Sequence, residues 1–296
     1  MIIVKLTGGL GNQLFQYALG FKLALKSMDR LKLDVSKYSD NYEIREYCLD
    51  LFNISAVIAD IREVNKISKL NFVEKNINLC FNKLQINQKY LFKGNRIRER
   101  FFQFDPNVLQ SSGNIYLDGY WQSYKYFDDV KRKIEQEFSL KNKLLECSNE
   151  LYNDILTSNA VCLNFRRTDF VTTNLHSSLI GEYGNYYYKK SIKFIADSIE
   201  NPKFFVFSDD INWCKHNVQI DAPVIFVDHN HSGLKFYNYF KLMLACKHFI
   251  IPNSTFGWWA AWLSQNSNKI VVAPKIWFTD DTIDTSDLIP DTWFRF

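Results

Sequence analysis

Ile2-Ile-Val-Lys-Leu6 followed by Thr7-Gly-Gly-Leu-Gly-Asn-Gln13 joins a short run with the pattern of a buried strand to a glycine-rich loop. Beyond the loop, Leu14, Tyr17, Ala18, Phe21 and Leu25 recur at the spacing of one buried helical face. Leu31-Lys-Leu-Asp-Val35 then reads as the next strand. A strand, loop, helix and strand in that order open a parallel α/β sheet, and the glycine loop turns backbone N–H groups and a helix N-terminus toward whatever lies above it. The loop is an anion cradle or a tight structural turn. It is not the dinucleotide fingerprint, because Leu14 stands where a third glycine is required, and no Lys-Ser/Thr pair makes it a P-loop.

Outward from this start, Asn114–Ser123 reads as a strand ending in a glycine turn, and 127–158 as one amphipathic helix. A second alternation follows. Strands are expected at 160–165, 203–207, 223–228, 249–252 and 269–273, with helices near 183–199, 234–246 and 255–264. The fold class expected is α/β, with two Rossmann-like doubly wound domains facing a cleft and divided near 155: an N-terminal domain 1–155 and a C-terminal domain 156–296.

Composition narrows the function. The 296 residues are 47% hydrophobic and 23% charged, as in an ordinary globular protein. A formal net charge of +4 is too small for a protein that wraps duplex nucleic acid through its overall field, so no nucleic-acid partner is expected. Ten Lys or Arg against three Glu between Arg62 and Arg100 make that stretch locally basic. It is either a solvated helical face or a peripheral contact with anionic lipid. The six cysteines are dispersed without metal-ligand spacing and read as reduced thiols. With no apolar stretch long enough to span a membrane and no basic leader after Met1, a cytoplasmic setting is expected, extending to the inner membrane face if the basic stretch binds lipid.

Three further motifs follow expected strands, at the carboxyl ends where open α/β sheets bind ligands. In Asn164-Phe-Arg-Arg-Thr-Asp169, adjacent arginines at a strand exit point to opposite sides. Arg166 is expected to face the cleft and Arg167 to be braced by an acidic partner. Ser208-Asp209-Asp210 offers carboxylates for a guanine edge, a metal ion or a helix cap. In Asn253-Ser-Thr-Phe-Gly-Trp-Trp-Ala-Ala-Trp262, a strand passes into a helix whose start carries Ser254 and Thr255, again favouring phosphate. Trp258 and Trp262 share a helical face, so the tryptophans read as core rather than as a sugar platform.

Together, GGLGNQLFQYA, R-R-x-D, FSDD, LM-x-x-C-x-H-x-I and NSTFGWWAAWL resemble the bacterial α-1,2-fucosyltransferases of glycosyltransferase family 11, in order and spacing through nearly the whole chain. The resemblance implies a GT-B type enzyme that is inverting and needs no metal or other cofactor. The donor would be GDP-fucose, and the acceptor the 2-hydroxyl of galactose on a surface glycan such as an O-antigen, lipid-linked or free. It implies Arg166 as the catalytic contact to the β-phosphate and Asp209 as the contact to guanine. Gly11 and Asn12 would lie beside the diphosphate and fucose. Asn164, Ser254, Thr255 and Phe256 would line the nucleotide pocket, and Asp228 would lie near the ribose or phosphate. Arg167, Asp169 and Asp210 would give structural support. The second domain would then hold the donor and the first would supply the acceptor wall. Asn164, Thr168 and Phe170 replace the His, Gly and Tyr of the common motif H-x-R-R-G-D-Y, and Asn164 cannot carry a proton at neutral pH. A different linkage or nucleotide sugar on the same fold, and a non-catalytic nucleotide binder, are the alternatives.

Overall fold

A computed structural model describes residues 1–39, 45–68, 95–167 and 182–296. The chain divides into two units, Met1–Phe138 and Ser139–Phe296.

In the first unit, β1 (Ile2–Lys5) leads through the glycine loop into α1 (Leu10–Ser27) and on to β2 (Leu31–Asp34). Short β3 (Val57–Ile58), α2 (Ile61–Ser68), β4 (Arg96–Arg98) and β5 (Ile115–Asp118) follow. The strands form a five-stranded sheet in the order β3-β2-β1-β5-β4, and every pairing is parallel. Ile2, Ile3 and Val4 are fully buried, which accounts for the unbroken apolar run: a parallel sheet covered on both faces has no polar side to alternate with. The order reverses between β1 and β5, so the loops after those two strands border the crevice where ligands enter such sheets.

At the carboxyl edge of this sheet, Lys5 Nζ approaches Asp118 Oδ1 at 2.9 Å, and the guanidiniums of Arg96 and Arg98 meet the other carboxylate oxygen. Burial pushes the Asp118 carboxyl up, but hydrogen bonds from Arg96 and Lys5 outweigh it and leave the group below the ordinary aspartate value of 3.8. A carboxyl depressed by folding supplies stability above its unfolded value and loses it as pH falls through the folded one. In urea melts between about pH 6 and about pH 2, the parent therefore loses stability steeply below its unfolded value, and Asp118→Asn shows less of that loss. Arg96 and Arg98, near the end of the basic stretch, are thus engaged within this unit, whereas residues 69–94 of that stretch lie outside the described residues.

The single helix expected over 127–158 is instead α3 (Lys131–Glu137) and α4 (Asn149–Thr157), separated by chain that is not α-helical, ends in a 3-10 turn at Glu146–Ser148 and includes the passage between units. The sequence pattern missed the break because Ile134, Phe138 and Ile155 are each buried, but Ile134 and Phe138 belong to the first unit and Ile155 to the second. α4 is held to the second unit by Lys203 Nζ, 2.7 and 2.6 Å from the two Asp154 oxygens, which puts the division at 138/139, ahead of the expected 155.

The second unit continues with β6 (Asn159–Phe165), α5 (Glu182–Ser198), β7 (Pro202–Ser208), α6 (Ile211–Asn217) and β8 (Val224–Phe226). It is completed by α7 (Tyr237–Ala245), β9 (His248–Ile250), α8 (Thr255–Leu263), β10 (Val271–Ala273) and β11 (Phe294–Arg295). The six strands are parallel in the order β8-β7-β6-β9-β10-β11, which numbered within the unit is the doubly wound order 3-2-1-4-5-6. Its switch point lies between β6 and β9. Trp258 and Trp259 are fully buried and Trp262 nearly so, as expected of core residues. Helix α7 starts at Tyr237, not 234, because Lys235 and Phe236 adopt left-handed backbone conformations that an α-helix cannot include. The architecture is that of two Rossmann-like parallel α/β units of the GT-B type. Among the described residues, no helix is long and apolar enough to cross a membrane.

Candidate functional site

In the second unit, two tyrosines of α5 anchor the strands that border the switch point. The Tyr188 hydroxyl donates to the Asn164 carbonyl (3.1 Å), and the Tyr187 hydroxyl shares its one hydrogen between the carbonyls of Ile251 (2.6 Å) and Val272 (3.1 Å). Burial pushes the Tyr188 phenol well above its ordinary range, so it stays a donor. The Asn164 amide nitrogen donates to the Phe207 carbonyl of β7 at 3.1 Å. A Cβ on Gly257 would lie 2.8 Å from Asn164 Oδ1, so only glycine lets the first turn of α8 approach the end of β6 this closely. Asn164 is buried and braces the end of β6 against β7 and the first turn of α8.

The chain then turns out of β6 into the two arginines. Asp209, leaving β7, accepts the Arg167 backbone N–H on Oδ1 (2.9 Å) and sets Oδ2 3.4 Å from Arg166 Nε. Asp210 accepts the Trp213 N–H at 3.1 Å, capping α6, and its other oxygen lies 3.6 Å from Arg167 Nε. The Arg167 guanidinium lies over the Trp213 ring, 3.6 Å from the centroid. Both arginines meet a carboxylate, Arg167 lying between Asp210 and the Trp213 indole and Arg166 beside Asp209. Asp209 and Asp210 thus act on the arginines. Behind them, burial pushes the Cys214 thiol up to about 11, which removes it as a thiolate nucleophile near neutral pH. Asp169 lies outside the described residues.

Across the switch point, α8 begins at Thr255 with Ser254 at its N-cap. The Ser254 side chain makes no capping bond and the first turn holds no acidic residue, so the positive end of the helix dipole is not offset by a carboxylate of that turn. Phe256 tilts against Phe240 at 5.2 Å. Asp228 caps the short turn after β8, accepting the Asn230 N–H at 3.0 Å. Arg166 follows β6 and the α8 N-terminus follows β9, so both lie at the carboxyl edge beside the switch point, groups of a kind able to hold an anion with several oxygens and to stabilise charge growing on it.

In the first unit the glycine loop is built with comparable detail. Gly8 has φ +74, and a Cβ there would meet Asn12 Nδ2 at 2.5 Å. The Gln16 side chain accepts the Thr7 N–H at 3.0 Å. Gln13 donates to the carbonyls of Gly8 (3.0 Å) and Glu46 (2.8 Å) and accepts the Cys48 N–H at 2.8 Å. Gly9 is the N-cap of α1 and Gly11 is buried in its first turn. Asn12 Oδ1 accepts from Gln122 Nε2 at 2.9 Å, which joins the two loops bordering this unit's switch point. Gln13, Gln16 and Gln122 were not singled out from the sequence. The signal was present in the first two: glutamines three apart on an otherwise apolar helix face are buried polar groups that need partners, which Gln13 finds at Gly8, Glu46 and Cys48 and the Gln16 side-chain oxygen finds at the Thr7 N–H. Gln122, Trp213 and the tyrosine pair carried no comparable local mark.

The sequence profile described as glycosyl transferase family 11 matches residues 1–294. An alpha-1,2-colitosyltransferase of Escherichia coli is 33% identical over 100% of this chain and 98% of its own length. The O-antigen biosynthesis glycosyltransferase WbnK, also of Escherichia coli, is 32% identical over 98% of each. Galactoside alpha-(1,2)-fucosyltransferase 1 of Rattus norvegicus is 27% identical over half of this chain and 41% of its own. Among solved structures, the fucosyltransferase NodZ from Bradyrhizobium aligns with TM-score 0.52 at 15% identity, over 88% of this chain and 92% of NodZ. A variant of FUT1 from Arabidopsis thaliana in complex with GDP aligns with TM-score 0.57 at 12% identity, over 98% of this chain and 74% of that one. At these identities the structural likenesses concern the fold.

Proposed function

The chain belongs to glycosyl transferase family 11, and on that premise we propose that it transfers L-fucose from GDP-fucose to the 2-hydroxyl of a galactose residue on a bacterial surface glycan, inverting the anomeric centre without a metal ion. The observation that carries the reading is that the Arg166–Asp209 pair, after β6 and β7, and the N-terminus of α8, after β9, lie at the carboxyl edge of one sheet, around the switch point of the second unit. Arg166 contacts the β-phosphate and stabilises the charge that accumulates as GDP departs. The N–H groups at the start of α8, with Ser254, Thr255 and Phe256, hold the diphosphate. The sugar passes through an oxocarbenium-like state and the acceptor hydroxyl attacks from the opposite face. Within the first unit, Gln122 orients Asn12, which with Gly11 is a residue for which the resemblance implies a donor contact. Asp209 and Asp210 are engaged with the arginines, which supports a reaction that needs no metal held by them. The five described cysteines are free thiols, which supports a reducing, cytoplasmic setting.

The acceptor and linkage are supported by relatives named as galactoside alpha-(1,2)-fucosyltransferases and as an O-antigen biosynthesis enzyme. The full-length identity to a colitosyltransferase favours a second reading, in which the same nucleotide carries colitose, the 3-deoxy counterpart of fucose. Incubation with GDP-fucose, GDP-colitose and UDP-galactose against a panel of galactosides, with linkage analysis of the products, tests both. The expected result is 2-linked α-fucosyl galactose formed equally well with and without EDTA. A preference for GDP-colitose selects the second reading; turnover of UDP-galactose alone, or a product linked elsewhere than position 2, overturns the assignment.

A further inference from the structure

The segment after β8 carries a feature that the motifs did not mark. Gly233 (φ 68), Lys235 (φ 53) and Phe236 (φ 61) all lie in the left-handed region, two of them with side chains. A Cβ makes that conformation costly, and such residues persist where the surrounding structure holds them, commonly at ligand sites. Here the consequence is the position of one ring. Phe236 is 45% exposed, whereas Tyr239 next to it, and Phe207 behind Tyr239, are buried. Its ring stands at 87° to His229, with centroids 6.4 Å apart, and tilts against Tyr239 at 6.0 Å. His229 Nε2 donates to the Ser208 carbonyl at 3.0 Å, directly before Asp209. A wall of His229, Tyr239 and Phe236 thus runs outward from Asp209 along the carboxyl ends of β7 and β8, with the Phe236 ring partly open to solvent.

In the doubly wound order 3-2-1-4-5-6, the pyrophosphate sits at the turn after strand 1 and the ribose meets the end of strand 2, so the base extends toward strand 3. Those strands are β6, β7 and β8. We propose that Phe236 is the stacking platform for the nucleobase of the donor, held open to it by the left-handed turn at Lys235 and Phe236. The proposal rests on the nucleoside diphosphate sugar reading above and adds the residue that binds its base. Stacking on an aromatic face strengthens binding without choosing among bases, so Phe236 supplies affinity and the choice of guanine falls to polar groups around it.

Calorimetry on the full chain with GDP and with inorganic pyrophosphate tests the assignment. Phe236→Ala is expected to weaken GDP by about 5–150-fold, the range measured for loss of one base-stacking contact, and to leave pyrophosphate within about twofold. Phe236→Trp is expected to retain GDP affinity. Phe236→Gly, which relieves the left-handed backbone, is expected to melt higher than Phe236→Ala and to bind GDP as weakly. Unchanged GDP affinity in Phe236→Ala overturns the proposal. So does an equal loss for GDP and pyrophosphate, because the ring would then only shape the loop. If the parent binds UDP in place of GDP, the donor reading fails separately, and the same comparison made with UDP decides the platform. If the parent binds no nucleotide, both fall.

Discussion

Arg166→Ala lowers kcat for fucosyl transfer by about 10²–10³, the loss typical of removing one preorganised contact to developing charge. Arg166→Lys does not restore it. A guanidinium presents a planar fork to two phosphate oxygens while its Nε still faces Asp209, 3.4 Å away, and an ammonium cannot do both. In the proposed mechanism the charge that Arg166 meets grows as GDP leaves, so the effect is expected to fall mainly on kcat. GDP binding measured by calorimetry weakens less. Arg167→Ala behaves differently: it removes the guanidinium over Trp213 and opposite Asp210, so its first consequence is a lower melting temperature. Asp209→Asn falls between the two, since an amide can still accept the Arg167 N–H but no longer opposes the Arg166 charge. Normal turnover by a folded Arg166→Ala protein would remove the proposed chemistry.

Trp258→Ala costs about 3–5 kcal/mol, the range for truncating a large buried aromatic. Folded domains hold only about 5–15 kcal/mol in total, so one such substitution takes a large share. Trp258 is fully buried, stacks on Trp262 at 6.0 Å and 14°, and packs edge-on to Trp259 and tilted to Trp293. Its Nε1–H donates to the Leu288 carbonyl at 3.0 Å, an acceptor that the truncation leaves unsatisfied. The check is a denaturant melt set beside acceptor kinetics. A fully stable variant with a raised acceptor KM would make the tryptophan cluster a sugar platform after all.

Local pattern carried much of the fold. Apolar runs at 2–6, 160–165 and 203–207 and the 3.6-residue stripe after the glycine loop each report on their own neighbourhood, and each became a strand or a helix as read. The motifs were legible for the same reason: Arg166, Asp209 and Ser254 directly follow strand patterns, and in a parallel sheet all strands deliver their following loops to one edge. Chain order therefore places Asn164–Arg167, Ser208–Asp210 and Asn253–Thr255 on the same side of the second unit before any contact is known.

Partners separated along the chain were not legible. Nothing near Asp209 in the sequence says that one oxygen takes the Arg167 N–H and the other faces Arg166, and the cap legible in Asp209-Asp210 did not say which of the two aspartates makes it. Nothing near Asn12 names Gln122, 110 residues on. The break in 127–158 and the left-handed Phe236 escaped for a related reason: each local pattern favours a continuous helix, and burial of Phe138 in one unit and Ile155 in the other, or the packing of Phe236 against His229 and Tyr239, overrides it. Residue spacing encodes which face of an element is apolar, and that suffices for strands, helices and the sheet edge that carries the ligand. Which side chain meets which across that edge is set by hydrogen bonds and steric fit between distant segments, and these exist only once the sheets have assembled.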